Sequence, residues 1–419
     1  MGRRVVSHDE SSRFSSSPRR RWARFVHVAT DRFHLLPVGA IVALVWAHIA
    51  ADSYFRFSGA LSFAVNEIGM AVVLGLITQE IVEAAMPGGA LHSWRRWGMP
   101  IFLAAGGAVG AVSVYFLVVA TGHEPELFEG WPIACAIDIA AAYYLLKTIL
   151  PRSDALPFIL LLAIATDAFG LAVVALWHQG APTQTGGAAL MIAALGTAGL
   201  MRWMKVGVFW PYLTICGTLS WLAFHIESVH PALALVPIVP FLPHERRGLD
   251  LFADPPDDDA THRFEHEWNH AMQVILFLFV LVNAGMVVQG YGSGTWALLA
   301  AALIGRPLGI LTAVVLAVAA GFSLPPRIGW RELLVIALAT STGFTFALFF
   351  ATGVLPVGPA LAQLKLGALA TVTGALLSLA AAWLLRVGRF GGRRRARRTA
   401  LRAHRTVSHG HPIPSSDLA

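Results

Sequence analysis

Three ionisable residues stand where charge is costly, near the middle of apolar stretches that are long enough to cross a bilayer. Asp138 lies in EGWPIACAIDIAAAYYLL, Asp167 in FILLLAIATDAFGLAVVALW, and Arg306 in LLAAALIGRPLGILTAVVLAVAAG. A charged side chain at this depth usually faces a water-filled cavity, an ion path or a partner of opposite charge. Two acids and one base in separate stretches therefore indicate an ion-transport site. The alternative is a carboxylate kept protonated in a contact between helices.

A carboxylate in such a site can bind either a proton or a hard cation such as Na⁺, but not both at once. Loss of water favours its protonated form, and a nearby base favours its ionised form. Competition for one acid is sufficient for exchange if the site opens to each side of the membrane in turn. The chain has no GxxxxGK[ST] phosphate-binding motif, and we predict that it uses no cofactor. An enzyme is the least favoured class, because the apolar stretches offer no metal triad or nucleophile constellation.

The composition is typical of a membrane protein. Of the 419 residues, 56% are hydrophobic and only 13% are charged, whereas a soluble domain has about 25% charged residues. Cys135 and Cys216 both fall in apolar stretches, so they indicate packing residues rather than a disulfide framework. We therefore predict an all-α polytopic membrane protein.

Apolar runs of about 18 to 25 residues predict about twelve transmembrane helices, with boundaries uncertain by about four residues. The seventh and eighth runs are the shortest. The predicted spans are 34–51, 62–86, 98–121, 129–150, 155–178, 186–204, 207–224, 229–243, 268–290, 295–320, 330–354 and 361–387.

The charges of the connecting segments support an even number of spans. Basic residues recur in every second segment, such as Arg95 with Arg96 and Arg246 with Arg247, and the segments between them are acidic or nearly uncharged. By the positive-inside rule, both termini then lie in the cytoplasm.

The two ends of the chain are polar and basic. Residues 1–33 and 388–419 are predicted to be disordered cytoplasmic tails on either side of a transmembrane domain at 34–387. The C-terminal arginine cluster directly follows the last span. We therefore expect anionic membrane lipids to be its partner, rather than nucleic acid.

Two predicted spans are interrupted at mid-depth by small or polar residues. The fourth contains CAIDIAA around Asp138, and the eleventh contains ATSTGFTFA around Gly343. Broken backbone inside a membrane is tolerated only where it lines a cavity or is covered by protein. Matching interruptions in two halves of a chain indicate the binding site of an inverted-repeat transporter.

Eight local patterns, in order between about residues 62 and 385, resemble the NhaA-type sodium/proton antiporter family. They are ITQEIVEAAMPGG with Glu80, CAIDIA, ATDAFGLA, SVHPALA with His230, LVNAGMVVQG with Asn283, IGRPLGI, TGFTFALFFA and LKLGAL. The resemblance implies a fold of twelve spans in two inverted repeats, in which the fourth and eleventh cross as broken helices at mid-membrane.

The resemblance also implies roles for individual residues. In this family, the acid matching Asp167 is the main carrier of cation and proton, the acid matching Asp138 lies beside it, and the base matching Arg306 faces them. The residues matching Glu80 and His230 are associated with the pH response. From the residues alone, Glu80 fits a solvated funnel rim equally well, and His230 fits helix-end packing.

The implied activity is secondary antiport of Na⁺ or Li⁺ against H⁺ across the bacterial plasma (inner) membrane. It would support pH and sodium homeostasis, and the family further suggests a homodimer. A channel is disfavoured, because the polar residues within the spans are sparse and confined to mid-depth. The preferred cation is left open by the sequence.

The sequence departs from the family pattern at the site itself. The family usually has two adjacent aspartates where this chain has Thr166 and Asp167, a lysine in place of Arg306, and a threonine in place of Ile137. Thr166 stays among the predicted ion-binding residues through its hydroxyl, although it cannot ionise. Because arginine also keeps its proton at any biological pH, both candidate carriers of a second proton are absent.

Charge counting at the site gives −1 when Asp138, Asp167 and Arg306 are all ionised. One Na⁺ or one H⁺ neutralises this charge, so we predict electroneutral 1:1 exchange rather than the electrogenic exchange expected of the family. In the alternative, Arg306 clamps Asp138 or Asp167 permanently. The chain would then be a degenerate or altered-substrate family member that acts as a non-transporting membrane scaffold.

Overall fold

The computed structural model describes residues 35–85, 94–122, 124–136, 138–150, 156–176, 185–242, 260–287, 291–322, 324 and 328–391. Every regular element in these ranges is helical, which confirms the predicted all-α class. The predicted tails at 1–33 and 388–419 lie outside the described residues, apart from a 3-10 turn at Gly388–Gly391.

The first half of the chain forms the helices on both sides of the interruption around Asp138. They are α1 (Leu35–Ile49), α2 (Ala51–Phe63), α3 (Met70–Ala85), α4 (Trp94–Gly122), α5 (Trp131–Ala134), α6 (Ile139–Ile149), α7 (Leu156–Leu176), α8 (Thr185–Trp203) and α9 (Gly217–Ile226). Wider π-helical turns join α2 to α3 at Ala64–Gly69 and precede α9 at Tyr212–Cys216.

The second half contributes the remaining helices. They are α10 (Ala260–Asn283), α11 (Ser293–Ala300), α12 (Arg306–Ala319), α13 (Trp330–Ala339), α14 (Phe344–Val354), α15 (Pro359–Ala370) and α16 (Thr373–Leu384). A π-helical turn at Ala301–Gly305 joins α11 to α12 directly before Arg306.

Within the described ranges, 4 continuous helices are long and apolar enough to cross a membrane. They are Ala51–Glu83, Gly98–Gly122, Ser293–Ala319 and Pro359–Phe390. The helices α13 and α14 are bent by 45° relative to each other. If this pair counts as one span, the number of candidate spans rises to 5. These helices overlap the second, third, tenth, twelfth and eleventh predicted spans, and the total of twelve stays a prediction.

The segment predicted as the eighth span, 229–243, does not form an α-helix over its described residues, 229–242. This segment folds as turns with two short 3-10 helices, Pro231–Leu233 and Val239–Phe241. The three prolines of PALALVPIVP remove backbone N–H groups that an α-helix would need. The apolar side chains that predicted a span instead contribute to buried packing, as Leu233 and Val239 do.

Glycines bring α4 and α12 close together beside Arg306. Gly106 and Gly110 of α4 face Gly305 and Gly309, and both pairs have the same spacing of four positions. A β-carbon added at Gly110 would lie 2.6 Å from Cα of Gly309, and one added at Gly305 would lie 2.6 Å from the carbonyl oxygen of Gly110. Such pairs of small residues let helix backbones approach each other in a membrane. The contact fixes the start of α12, and with it the position of Arg306.

Each interrupted span contributes one half to each of two buried apolar clusters. Residues of α5 and α14, such as Ile133 and Phe349, pack in the first cluster. Residues of α6 and α13, such as Leu146 and Ile336, pack in the second. The interruptions therefore lie where the two clusters meet. Both cysteines are buried and unpaired.

Candidate functional site

The two interrupted segments meet through a backbone hydrogen bond. Residues 135–138 separate α5 from α6, and residues 340–343 separate α13 from α14. The backbone N–H of Asp138 donates to the carbonyl oxygen of Thr342 at 2.9 Å. The breaks fall where the sequence predicted interruptions, and they lie side by side. We call this region the crossing.

Asp138 lies at the crossing between the N-terminal ends of α6 and α14. Its side chain is buried, with 4% exposed. Oδ1 accepts a hydrogen bond from the backbone N–H of Ala141 at 3.5 Å and caps α6. Oδ2 accepts a hydrogen bond from the hydroxyl of Thr345, in the first turn of α14, at 2.6 Å. Because helix N-termini carry partial positive charge, this position offsets part of the cost of burying the carboxylate.

Arg306 binds the opposite ends of the same broken helices, and only 1% of it is exposed. Nη1 donates to the carbonyl oxygens of Ala136 at 2.8 Å and Thr340 at 3.1 Å, and Nη2 donates to that of Ala134 at 2.6 Å. These carbonyls follow or end α5 and α13, where the helix dipoles favour positive charge. The guanidinium supplies several donors in a fixed plane. It can therefore satisfy both helix ends at once.

The alternative in which Arg306 clamps Asp138 or Asp167 can be judged from the structure for Asp138 only. In the part of the chain that the structure describes, Arg306 and Asp138 form no ion pair. Both oxygens of Asp138 and both Nη atoms of Arg306 have other partners. The side chain of Asp167 lies outside the described residues, and its pairing with Arg306 stays a prediction.

Asp167 belongs to α7, which continues without a break from Leu156–Leu176. This helix packs against α4 and α6. Because Asp138 caps α6, the two acids belong to neighbouring elements. Thr166 is buried, and its hydroxyl donates to the carbonyl oxygen of Leu162 at 2.7 Å. A hydroxyl that donates one bond still has lone pairs with which to accept another bond or bind a cation.

Glu80 occupies an exposed position of α3. Its neighbours Gln79 and Glu83 bond to each other, with Nε2 of Gln79 donating to Oε1 of Glu83 at 3.1 Å. This arrangement fits the solvated rim that the residues alone suggested. The role in the pH response stays a prediction.

His230 is half-buried and contacts α14. Nδ1 accepts a hydrogen bond from the backbone N–H of Ala232 at 3.2 Å, which caps the short 3-10 helix that follows. The ring packs edge-on against Phe349, with 4.9 Å between ring centroids. These contacts fit the packing role at a helix end that the residues alone suggested. They also place His230 against α14, the helix that carries Thr345.

Sequence reasoning missed two kinds of partner at the crossing. Thr345 is 207 positions from Asp138, and no feature of one sequence pairs them, although the pattern TGFTFALFFA includes the threonine. The partners of Arg306 are backbone carbonyls, which leave no residue-type signal at all. Two further polar atoms here, Nε of Arg306 and Oγ1 of Thr342, are buried and have no hydrogen-bond partner among the described residues.

The chain is similar in sequence to known sodium/proton antiporters. The family model described as Na⁺/H⁺ antiporter 1 matches residues 23–385. Na(+)/H(+) antiporter NhaA 1 of Pelobacter propionicus is 39% identical over 363 residues, which cover 84% of this chain and 95% of that protein. Na(+)/H(+) antiporter NhaA of Geobacter metallireducens is 39% identical over 360 residues, which cover 83% and 94%.

A solved structure shares the fold. The sodium proton antiporter MjNhaP1 from Methanocaldococcus jannaschii, at pH 8, matches with a TM-score of 0.54 over 86% of this chain and 96% of that one. Sequence identity is only 13%, so this likeness concerns the architecture alone.

Proposed function

Because the chain belongs to the Na⁺/H⁺ antiporter 1 family, we propose that it is a secondary active antiporter that exchanges Na⁺ or Li⁺ for H⁺. The observation that carries this proposal is the crossing. There a buried carboxylate lies at the N-terminal ends of two broken helices, and a buried guanidinium lies at their C-terminal ends. Broken helices that present dipole ends and carbonyls to an internal site are the arrangement with which transporters bind ions at mid-membrane.

In this mechanism, Asp167 is the acid that exchanges its ion. Arg306 is a fixed charge, because its Nη donors are held by three carbonyl oxygens. Asp138 is held by a helix cap and by the hydroxyl of Thr345. With these two charges balanced by the helix ends, one Na⁺ or one H⁺ on Asp167 neutralises the site. Thr166, next to Asp167, would offer its hydroxyl oxygen to the cation.

Electroneutral 1:1 exchange follows from this charge balance. A dehydrated site changes from facing one side of the membrane to facing the other most easily when it is neutral, because an isolated charge in a medium of low dielectric constant is costly. The site is neutral with either ion bound and carries −1 with neither. The empty site is therefore the state that resists reorientation, and this couples the two flows.

The arrangement in the membrane completes the proposal. It comprises about twelve spans in two inverted repeats, both termini in the cytoplasm, and a location in the bacterial plasma membrane. Anionic lipids would bind the basic ends, and two copies would form a homodimer. The resulting activity would support pH and sodium homeostasis.

Everted vesicles from a host without its own antiporters test the function. Addition of Na⁺ or Li⁺ should discharge the proton gradient in vesicles that contain the protein, with K⁺ as a comparison. Asp167→Asn should abolish the response, because the amide has a similar shape but cannot exchange a proton. Asp52→Asn, a carboxylate at the start of α2, is the matched control and should respond like the unaltered chain. If correctly inserted protein gives no response to any cation over a broad pH range, the antiporter proposal fails and the scaffold alternative replaces it.

A further inference from the structure

One hydroxyl at the crossing lacks the partner that each of its neighbours has. Thr340 donates to the carbonyl oxygen of Ala337 at 2.8 Å, and Ser341 donates to the same oxygen at 3.3 Å. Thr345 donates to Asp138. Thr342, with 4% exposed, has a buried Oγ1 with no hydrogen-bond partner among the described residues. Buried polar groups are almost always bonded, and an exception calls for a functional explanation or an unseen guest.

The backbone around Thr342 is held on both sides, so the hydroxyl is not simply left over in a loose loop. The carbonyl oxygen of Thr342 accepts the hydrogen bond from Asp138, and the N–H of the next residue, Gly343, donates to Oγ1 of Thr371 at 3.2 Å. On a further side, a β-carbon added at Gly374 would lie 3.2 Å from the backbone nitrogen of Thr342. The hydroxyl is thus carried by a fixed segment that is hydrogen-bonded to the backbone of Asp138.

Apart from the carboxylate of Asp138, the side-chain oxygens described at this crossing belong to the break between α13 and α14 and to the start of α14. The residue before Asp138 is Ile137, which carries no side-chain oxygen. The break between α13 and α14 supplies the hydroxyls instead. Among these, only the oxygen of Thr342 has no hydrogen-bond partner in the described part of the chain. Hard cations bind sets of carboxylate, carbonyl and hydroxyl oxygens in place of their water shell. The uncommitted oxygen therefore belongs to the segment that is hydrogen-bonded to Asp138, and it is available to join such a set.

We propose that Oγ1 of Thr342 is a ligand of the transported cation and acts together with the carboxylate of Asp138. The inference rests on the proposed antiporter function and adds a specificity-determining residue to it. A proton needs a single basic oxygen, whereas a cation needs several at once. Loss of this hydroxyl therefore weakens cation binding and leaves proton binding by the acids in place.

The test uses the full chain in proteoliposomes and measures the Na⁺ and Li⁺ concentrations that give half-maximal exchange. Thr342→Val keeps the shape of the side chain and removes the oxygen, and it should raise this concentration about tenfold, the equivalent of one weakened contact. Thr342→Ser restores the oxygen and should return it to within about twofold of the unaltered value. The matched control is Thr352→Val on α14, whose hydroxyl already bonds carbonyl oxygens of its own helix at 3.0 Å. The control should leave the concentration unchanged.

The outcomes separate the two proposals. If the unaltered chain exchanges ions and Thr342→Val has the same half-saturating concentration as Thr352→Val, the ligand assignment is overturned and the antiporter function stands. If Thr342→Val instead lowers the maximal rate or the thermal stability and leaves the half-saturating concentration unchanged, the ligand assignment is also overturned. That result assigns the hydroxyl a structural role, such as sharing a water molecule with Nε of Arg306. If the valine variant does not insert, Thr342→Ala is judged by the same criterion. Absence of exchange in the unaltered chain overturns both proposals together.

Discussion

An imposed membrane potential measures how much net charge the protein moves in each cycle, and the replacement Arg306→Lys tests what sets that charge. Arg306 is bound by three carbonyl oxygens, and arginine keeps its proton at any biological pH. A lysine at this position would also be attracted to the helix ends, but it can lose its proton when it is buried. We therefore expect the unaltered chain to be electroneutral and the lysine variant to acquire a dependence on potential.

The expected difference is large. A potential of 100 mV contributes about 2.3 kcal/mol for each net charge moved. Since every 1.4 kcal/mol is a factor of ten in an equilibrium, this shifts the limiting cation gradient roughly 40- to 50-fold. For 1:1 exchange the shift is absent, and the gradient follows the pH difference alone. The two stoichiometries therefore differ by far more than the error of a flux measurement.

The assay uses proteoliposomes with a K⁺ diffusion potential set by valinomycin, a pH-sensitive dye and direct measurement of transported Na⁺. Arg306→Lys is compared with the unaltered chain at equal protein density. A current in the unaltered chain that reverses with the imposed potential would refute the charge count. Electroneutral exchange by both proteins would instead refute the claim that the guanidinium is what fixes the stoichiometry.

Two further substitutions test the elements that position the site. Gly110→Ala places a methyl group 2.6 Å from Cα of Gly309, so α12 must move. We expect thermal unfolding to show a loss of stability of about 1–3 kcal/mol and exchange to become slower. The control Gly196→Ala, whose added β-carbon meets nothing within 4 Å, should be tolerated. Thr345→Val removes the donor at 2.6 Å from Asp138, and a bond to a charged group is worth about 1.5–3 kcal/mol. That variant should unfold at lower temperature and exchange poorly, and Thr345→Ser should recover both properties; an unaltered melting temperature would show that the bond does not hold Asp138.

Some features of this protein could be predicted from its sequence because they depend on local composition. A charge in the middle of an apolar run is visible at once, and this is how Asp138, Asp167 and Arg306 were found. The interruption around Gly343 is visible for a similar reason, since small and polar residues are grouped within an otherwise apolar stretch. Both signals concern residues close together in the chain.

Other features depend on contacts that the sequence does not encode locally. The bond between Asp138 and Thr345 joins distant segments, and the carbonyls that bind Arg306 belong to alanines and a threonine whose side chains are irrelevant to the contact. Hydropathy also misjudged the segment 229–243, because apolar side chains predict burial whether the backbone is a spanning helix or a series of proline-rich turns. Burial was predicted correctly there, and its geometry was not.

The three carbonyl partners of Arg306 also constrain the order in which the protein is assembled. The chain is synthesised from its N-terminus, so α5, with its carbonyls at Ala134 and nearby Ala136, exists before α12 is made, whereas Thr340 emerges later. An arginine at the centre of a membrane helix costs about 2.5 to 3.5 kcal/mol during insertion. The earlier broken helix can therefore receive this charge while the nascent chain is still growing, and the later one completes its coordination. We therefore expect insertion of the second half to be favoured when the first half is already in place.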